Sequence, residues 1–497
     1  MGILKSSIFA VFQLSILSLG HPTNPPGHSD LLVQTPLFSV QGVPWPNNTD
    51  VRFFGNIPYA EPPVGTARWR PPITKLPSNE TVNGSWFGPS CIQYNSGSKT
   101  VYTEYLSGFL LTPGQEQSED CLTLNVWTPK AVGKGEKLPV MIWIHGGGFT
   151  SGGAASPYKY GDRLAKDQNV VVVAMNYRLN IFGYPNAASL DGRNLNPGLL
   201  DQRKAVEWVY TNINAFGGDN ERMILFGQSA GGMAVDKYTY AYPTDPIVRG
   251  FIVQSGAATG GSFLDPTGSN FTYVASQVGC SQTDKDEQFA CMQGVDAMII
   301  IDVYNKYNAS ANGGQSLSFQ PGPDNQTSFA NYPDLQARGL FARVPTVYQQ
   351  VDNEGSSLVA YVPSGPNQTA VDAFTRSIST CPQAKAALAR KTFGVPVWRT
   401  RYFGEWPNMN PLPWLGAFHS SDIPMVFGTS DLRGPGTDAE RVVSAYMQSA
   451  FAAFARDPES GLDWPKYDPA GETLVELALD NSTEVQFAKG DSFDGLC

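Results

Sequence analysis

Histidine is scarce in this sequence, with four residues among 497. His21 and His28 lie near the N-terminus, in a stretch expected to be flexible, and His145 is followed at once by three glycines. Chemistry that needs an imidazole base therefore has one well-placed candidate. That candidate is His419, which lies in a polar loop that begins with glycine.

Basic residues and long apolar runs are also lacking. The chain has 34 Lys and Arg against 44 Asp and Glu, which gives a formal charge of -10 and a pI near 5.0. Nucleic acids and anionic membranes both favour basic patches, so neither is expected as a partner. Beyond the N-terminus no stretch reaches the roughly 18 apolar residues of a transmembrane helix, so no stable membrane anchor is expected.

Internal repeats and low-complexity linkers are absent as well, and nothing marks a domain boundary. With 41% apolar residues the chain can bury a large core, so the sequence predicts one large domain. Buried strands are predicted at residues 122–127, 138–144 and 170–175. Helices fall between the strands, and Thr437 with Glu440 forms a capping box for a late helix. This alternation predicts an α/β fold.

The first twenty residues have the pattern of a signal peptide. Lys5 precedes an apolar segment at residues 8–19, and Ser18 and Gly20 place small residues where a signal peptidase cleaves. The mature domain is therefore predicted to span residues 21–497, and the protein to be secreted. The six cysteines are an even number, as disulfide formation in an oxidising compartment favours. The glycosylation candidates of the N-x-S/T type are Asn47, Asn79, Asn83, Asn270, Asn308, Asn325, Asn367 and Asn481.

The most informative stretch is residues 223–232, where a short apolar run leads into the sequence GQSAG, centred on Ser229. This G-x-S-x-G pattern is typical of a nucleophile elbow, in which the serine lies on a strained turn between a strand and a helix. Gly227 and Gly231 keep side chains out of the neighbouring strand and helix. Ser229 would then lie at a helix N-terminus, where amides and the helix dipole favour developing negative charge.

A serine hydroxyl is a weak nucleophile at neutral pH, so Ser229 needs a base and a carboxylate that orients the base. His419 follows Ser229 in the chain, as the order serine, acid, histidine requires. The acid is expected between them, on a loop after a core strand, and the predicted strand at residues 344–348 is followed by Asp352 and Glu354. Glu354 is the preferred candidate and Asp352 the alternative. Either would orient the imidazole and stabilise its cation.

Residues 145–149, with the sequence HGGGF, follow the predicted strand at 138–144 and fit the oxyanion loop of esterases and lipases. Glycine is needed there because the backbone must approach the tetrahedral intermediate closely and direct its N–H groups inward. The predicted donors are the amides of Gly147, Gly148 and Ala230. This chemistry is expected to use neither a metal nor a cofactor.

These motifs resemble those of type B carboxylesterases, the cholinesterase-like branch of the α/β-hydrolases that also includes fungal lipases. Further matching segments follow in order at residues 57–65, 118–126, 176–178, 198–202, 212–219, 254–256, 353–355, 416–428 and 464–467. The resemblance implies one central mixed, mostly parallel sheet flanked by helices, with the catalytic residues at the bottom of a deep gorge. It also implies a secreted serine carboxylesterase, similar to fungal members, that hydrolyses a small-molecule ester through an acyl-enzyme.

The resemblance further implies the disulfides and exposes two departures from the family. The implied pairs are Cys91–Cys121, Cys280–Cys291 and Cys381–Cys497, and the first closes a loop that forms a lid or gorge wall in the family. Gln228, before the serine, and Asp422, three residues after the histidine, stand where the family often has glutamate. The loop closed by the first pair contains no tryptophan to stack on choline, so a choline ester is not expected as substrate.

Two other functions stay open at this point. One is a true lipase, because apolar residues at helical spacing inside the Cys91–Cys121 loop could form an interfacial lid, or else pack into the gorge wall. These residues are Val101, Tyr102, Tyr105, Leu106, Phe109 and Leu110. The other is a non-catalytic adhesion member, which the intact Ser229, Glu354 and His419 argue against. The sequence identifies neither the acyl and alcohol groups nor the oligomeric state.

Overall fold

The computed structural model describes residues 30–95, 97–130, 136–260, 265–310 and 316–497. The predicted signal peptide at residues 1–20 and the histidines His21 and His28 lie outside these ranges. Within the ranges, no helix combines the length and the apolar character that crossing a membrane requires.

Short strands at the start of the chain precede longer buried strands. The strands are β1 (Leu32–Gln34), β2 (Ser39–Gln41), β3 (Val43–Trp45), β4 (Asn48–Pro58), β5 (Thr81–Asn83), β6 (Ser90–Cys91), β7 (Gln117–Ser118), β8 (Thr123–Pro129), β9 (Leu138–Ile144), β10 (Val171–Met175), β11 (Gly218–Gln228), β12 (Gly250–Gln254), β13 (Thr346–Val351), β14 (Val397–Tyr402), β15 (Glu472–Leu477) and β16 (Gln486–Lys489). The three strands predicted from apolar runs are β8, β9 and β10.

One eleven-stranded sheet organises the described chain, in the order β16-β15-β14-β13-β12-β11-β9-β10-β8-β4-β3. The seven adjacent strands from β15 to β10 run parallel to one another. Antiparallel pairing adds β16 at one edge and β8, β4 and β3 at the other. The predicted mixed, mostly parallel sheet of an α/β-hydrolase is thereby confirmed.

Helices cover both faces of this sheet. They are α1 (Val101–Glu104), α2 (Asp162–Gln168), α3 (Asn180–Gly183), α4 (Pro197–Asn212), α5 (Ala230–Ala241), α6 (Ser269–Gln277), α7 (Lys285–Gln293), α8 (Ala297–Ser310), α9 (Tyr332–Ala337), α10 (Gln368–Thr375), α11 (Cys381–Thr392), α12 (Ile423–Phe427) and α13 (Asp438–Arg456). The predicted capping box begins α13, where Thr437 and Glu440 each accept the other's backbone N–H.

The alternation of side chains in β9 shows why its sequence is almost continuously apolar. Val140, Ile142 and Ile144 belong to a buried cluster on one face of the sheet. Met141 and Trp143 belong to a second buried cluster on the other face. Successive strand residues point to opposite faces, so a strand covered on both sides needs apolar residues throughout.

The carboxyl ends of the parallel strands bring the predicted site residues to one edge of the sheet. The glycine loop follows β9, Ser229 follows β11 and Glu354 lies three residues after β13. The loop that contains His419 joins the same edge, because Phe418 forms a parallel β-bridge with Asn353. Parallel sheets commonly form their ligand sites at this edge.

Candidate active site

Ser229 lies in the turn between β11 and α5. Its backbone has φ 60° and ψ -125°, a region that residues with a side chain rarely adopt and that costs energy. The turn is held by the N–H of Ser229, which donates to the carbonyl of Gln254 at 2.9 Å. Ser229 is half-buried, whereas Gln228 and Ala230 on either side are buried. The predicted strand, strained turn and helix are therefore present.

Two glycines allow this turn to pass close to β9. A Cβ atom on Gly231 would lie 2.0 Å from the carbonyl oxygen of Ile144, and one on Gly227 would lie 2.7 Å from the backbone of Gly231. Neither separation is possible for real atoms, so any larger residue at these positions would displace the nucleophile turn.

His419 and Glu354 form a buried pair. Nδ1 of His419 lies 2.5 Å from Oε2 of Glu354, and the other oxygen of Glu354 accepts the N–H of Val351 at 3.2 Å. Because a carboxylate can only accept, Nδ1 carries the hydrogen and Nε2 has a free lone pair. This is the tautomer that a general base needs.

Asp352, the alternative acid, points elsewhere. Its Oδ1 accepts from Nε of Arg401, on β14, at 2.8 Å, and its side chain is 41% exposed. Of the two carboxylates considered from the sequence, Glu354 is the one that contacts the imidazole.

The Nε2 atom of His419 contacts Gln228 instead of the serine. The side-chain nitrogen of Gln228 lies 3.0 Å from Nε2, and because Nε2 carries the lone pair, the amide is the donor. Between these described residues no hydrogen bond joins Ser229 Oγ to His419. In a mechanism that uses His419 as the base, the serine hydroxyl would have to replace the Gln228 amide at Nε2, a tightening that substrate-free sites often require.

The glycine loop after β9 lies directly against the nucleophile, since a Cβ atom on Gly146 would be 2.8 Å from Cβ of Ser229. Gly147 and Gly148 have φ of +116° and +62°, conformations that favour glycine. The N–H groups of Gly147, Gly148 and Ala230 donate to no other group in the described part of the chain. All three are thus available to an oxyanion.

His145 supports this loop as a neutral ring. It is fully buried, stacks on Tyr177 with 4.4 Å between ring centroids, and donates from Nδ1 to the carbonyl of Gly146 at 2.8 Å. Burial lowers the pKa of His145 from 6.5 to about 3, so the ring stays uncharged at neutral pH. Its contacts fix the backbone at the start of the glycine turn.

Asp422 adds a second carboxyl group near the imidazole. It is fully buried, and its Oδ2 accepts from the side-chain amides of Gln254 at 2.8 Å and Gln349 at 2.6 Å. Its Oδ1 has no partner among the described residues. Burial raises the pKa of Asp422 from 3.8 to about 6, although the two amide hydrogen bonds oppose this and the charge of Glu354 adds to it.

Comparison with known proteins agrees with this geometry. The model of the carboxylesterase family matches residues 29–371, more than half of the chain. The chain belongs to the carboxylesterase family. It is therefore a carboxylic ester hydrolase, and small-molecule esters are the substrates of such enzymes.

Relatives of this carboxylesterase include two fungal proteins and a bacterial one. Chlorogenic acid esterase of Aspergillus niger is 39% identical over 521 residues that cover all of both chains. Secreted lipase 5 of Gibberella zeae is 36% identical over 483 residues, 88% of each chain. Para-nitrobenzyl esterase of Bacillus subtilis is 29% identical over 478 residues, 86% of this chain and 92% of that one.

The carboxylesterase contains three disulfides, which join the pairs that the resemblance implied. They are Cys91–Cys121, Cys280–Cys291 and Cys381–Cys497. The first closes a loop of residues beside the glycine turn, and the third ties the C-terminus to the start of α11.

The loop closed by Cys91 and Cys121 is a packed wall. Its helix α1 ends after four residues, and a 3-10 turn at Ser107–Phe109 follows. Of the six residues at helical spacing, three are buried: Val101, Leu106 and Phe109. Tyr105 and Leu110 are 38% and 39% exposed. The three buried residues belong to one of the core clusters beside the sheet, so the loop packs against the body of the protein.

Sequence reasoning did not find two contacts at the site. Gln349 lies in β13, a strand whose six residues are all buried, and a glutamine in such a strand is a signal that could have been used. Tyr102 was considered for the lid, but its hydroxyl contacts the backbone of His419. No sequence pattern indicates that second contact, because 317 residues separate the partners.

Proposed function

We propose that this carboxylesterase is a serine esterase that works through an acyl-enzyme on Ser229, with His419 as the base and Glu354 as its orienting acid. The observation that carries the proposal is the buried hydrogen bond of 2.5 Å between His419 and Glu354, beside the elbow. It leaves a lone pair on Nε2, the one ring nitrogen that can take the proton of the serine.

The chemistry follows from these positions. Ser229 Oγ attacks the ester carbonyl carbon while its proton moves to Nε2 of His419, and the amides of Gly147, Gly148 and Ala230 bind the oxyanion. Collapse of the intermediate breaks the bond to the alcohol, which leaves with the proton from Nε2. A water molecule then repeats both steps on the acyl-enzyme and releases the carboxylic acid.

The packed wall favours an esterase over a lipase that is activated at interfaces. A lid must swing away from the site and expose its apolar face, whereas this loop packs Val101, Leu106 and Phe109 into a core cluster. Tyr102 of the same loop also donates to the backbone of His419. The Aspergillus niger relative is named for chlorogenic acid, so this ester is the first natural substrate that we propose to test.

The test is a panel of p-nitrophenyl esters of increasing acyl length, together with chlorogenic acid. We expect kcat/KM to be highest for soluble esters and the rate with a long-chain ester to level off at its solubility limit. A sharp rise at that limit would instead identify a lipase. Ser229→Ala, secreted and folded like the wild type, should lose kcat by about 10⁴-fold or more with every member of the panel.

We also propose that the protein passes through a secretory pathway, as its disulfides and the secreted Gibberella relative suggest. Among the glycosylation candidates, the side-chain nitrogens of Asn270, Asn308 and Asn481 donate to backbone carbonyls. The exposed candidates are Asn47, Asn79, Asn83, Asn325 and Asn367. Peptide mapping should find glycans on the exposed asparagines and an N-terminus near residue 21. Glycans on the three asparagines whose side chains donate to carbonyls would contradict this prediction.

A further inference from the structure

Tyr102 connects the disulfide loop with both segments that carry the acid and the base. Its hydroxyl donates to the backbone carbonyl of His419 at 2.6 Å. The same oxygen lies 3.0 Å from Oγ of Ser357, the last residue of the 3-10 helix that begins with Glu354. One hydroxyl group therefore contacts the histidine segment and the glutamate segment at once.

The direction of these hydrogen bonds is fixed by chemistry. A carbonyl oxygen can only accept, so Tyr102 donates to His419, and the hydroxyl of Ser357 is left to donate to Tyr102. Burial raises the pKa of Tyr102, which keeps the phenol protonated and able to donate. The ring is held edge-on against Phe109, with 5.8 Å between centroids.

Among the described residues, other contacts hold the backbone before His419, whereas the carbonyl of His419 itself accepts from Tyr102. The N–H of Asn353 donates to the carbonyl of Ala417 at 2.9 Å, and Ser356 Oγ donates to the carbonyl of Leu415 at 2.7 Å. On the other side, Ser420 has φ 79°, a conformation that residues with a side chain rarely adopt. The peptide plane between His419 and Ser420 thus lies between a restrained segment and a strained residue.

We propose that Tyr102 is a positioning residue, whose hydroxyl fixes this peptide plane and so holds the imidazole of His419 where Nε2 can take the proton of Ser229. Tyr102 acts through the histidine and does not bind the substrate. The inference rests on the proposed role of His419 as the base, and it makes the loop closed by Cys91 and Cys121 part of the support for catalysis.

The test compares Tyr102→Phe with Tyr105→Phe in the full-length secreted protein. Tyr105 lies in the same loop, and its hydroxyl contacts that of Tyr361 at 3.1 Å, away from His419. Tyr102→Phe keeps the ring and removes the hydrogen bonds to His419 and Ser357. The loss of the His419 contact should lower kcat about fivefold, equivalent to about 1 kcal/mol, while KM changes less than about twofold. Tyr105→Phe should retain the kcat and KM of the wild type.

A second readout separates positioning from a structural role. Alkyl esters expel a poor leaving group and need the proton from His419 more than p-nitrophenyl esters do. The kcat loss in Tyr102→Phe should therefore be larger for an alkyl ester, with the thermal midpoint unchanged. If Tyr102→Phe lowers the thermal midpoint, Ser357→Ala serves as a second test because it leaves Tyr102 in place. Its loss of kcat should be smaller and should depend on the leaving group in the same way.

Three results would overturn the inference. They are a kcat at the wild-type level in Tyr102→Phe, an equal loss for both classes of ester, and a rise in KM alone, which would mean that Tyr102 contacts the substrate. A control on His419 distinguishes this failure from failure of the proposed function. If His419→Ala were fully active, the mechanism itself would be wrong; if it is inactive while Tyr102→Phe is normal, the inference alone fails.

Discussion

Replacing Asp422 with asparagine should change how the stability of the protein depends on pH. The Asp422 carboxyl group is fully buried, and its pKa is raised from 3.8 to about 6, chiefly by that burial. A difference of about two pKa units corresponds to about 3 kcal/mol between the two protonation states. The fully ionised carboxylate therefore costs the folded protein up to about 3 kcal/mol relative to the protonated form.

The sign follows from the direction of the shift. Because the pKa of Asp422 is higher in the folded protein than in the unfolded chain, folding favours the protonated acid. This contribution to stability is fully present below the unfolded value, is lost as the pH rises through about 6, and changes little above it. Asparagine is neutral at every pH and keeps an oxygen for Gln254 and Gln349.

The assay is the thermal midpoint of Asp422→Asn and of the wild type from about pH 4 to about pH 8. The midpoint of the variant minus that of the wild type should increase with pH, most steeply between about pH 4 and pH 6, whatever constant cost the buried amide adds. Asp372→Asn is the matched control, since Asp372 also accepts from a glutamine amide but is exposed. A difference that does not vary with pH would refute the reasoning.

Three further predictions test other parts of the protein. Gln228→Glu should move the acid limb of the kcat/KM profile to higher pH, because a carboxylate favours the imidazolium, and should raise kcat/KM for cationic esters. An acid limb that does not move would mean that the side chain at position 228 only packs. Glu354→Gln should lower kcat by about 100-fold or more, whereas Asp352→Asn should stay within about threefold; the reverse order would reassign the acid. Peptide mapping without reduction should join Cys381 to Cys497, and a free C-terminal thiol would contradict the structure.

The parts of the site that were predictable depend on neighbouring residues in the sequence. The elbow around Ser229 needs glycines at two fixed spacings, and the oxyanion turn needs consecutive glycines after a buried strand, so local sequence contains the whole requirement. The capping box at Thr437 and Glu440 is local in the same way. These features appear in the structure where they were expected.

The parts that were not predictable depend on distant partners. Asp352 and Glu354 stand two residues apart in similar local sequence. Their roles differ because Asp352 binds Arg401 on the distant strand β14. Gln349 reaches Asp422 across 73 residues. Spacing alone also could not show that α1 stops after four residues, because the apolar residues at helical spacing continue to Leu110.

The most direct test of the central claim is covalent labelling with an alkyl fluorophosphonate, followed by intact and peptide mass measurement. An activated serine displaces fluoride and forms a stable phosphonyl ester. We predict that the wild type gains one adduct, located on Ser229, and loses hydrolytic activity in proportion to labelling, while Ser229→Ala gains none. An adduct on another residue, or hydrolysis that persists in the fully labelled protein, would contradict the account.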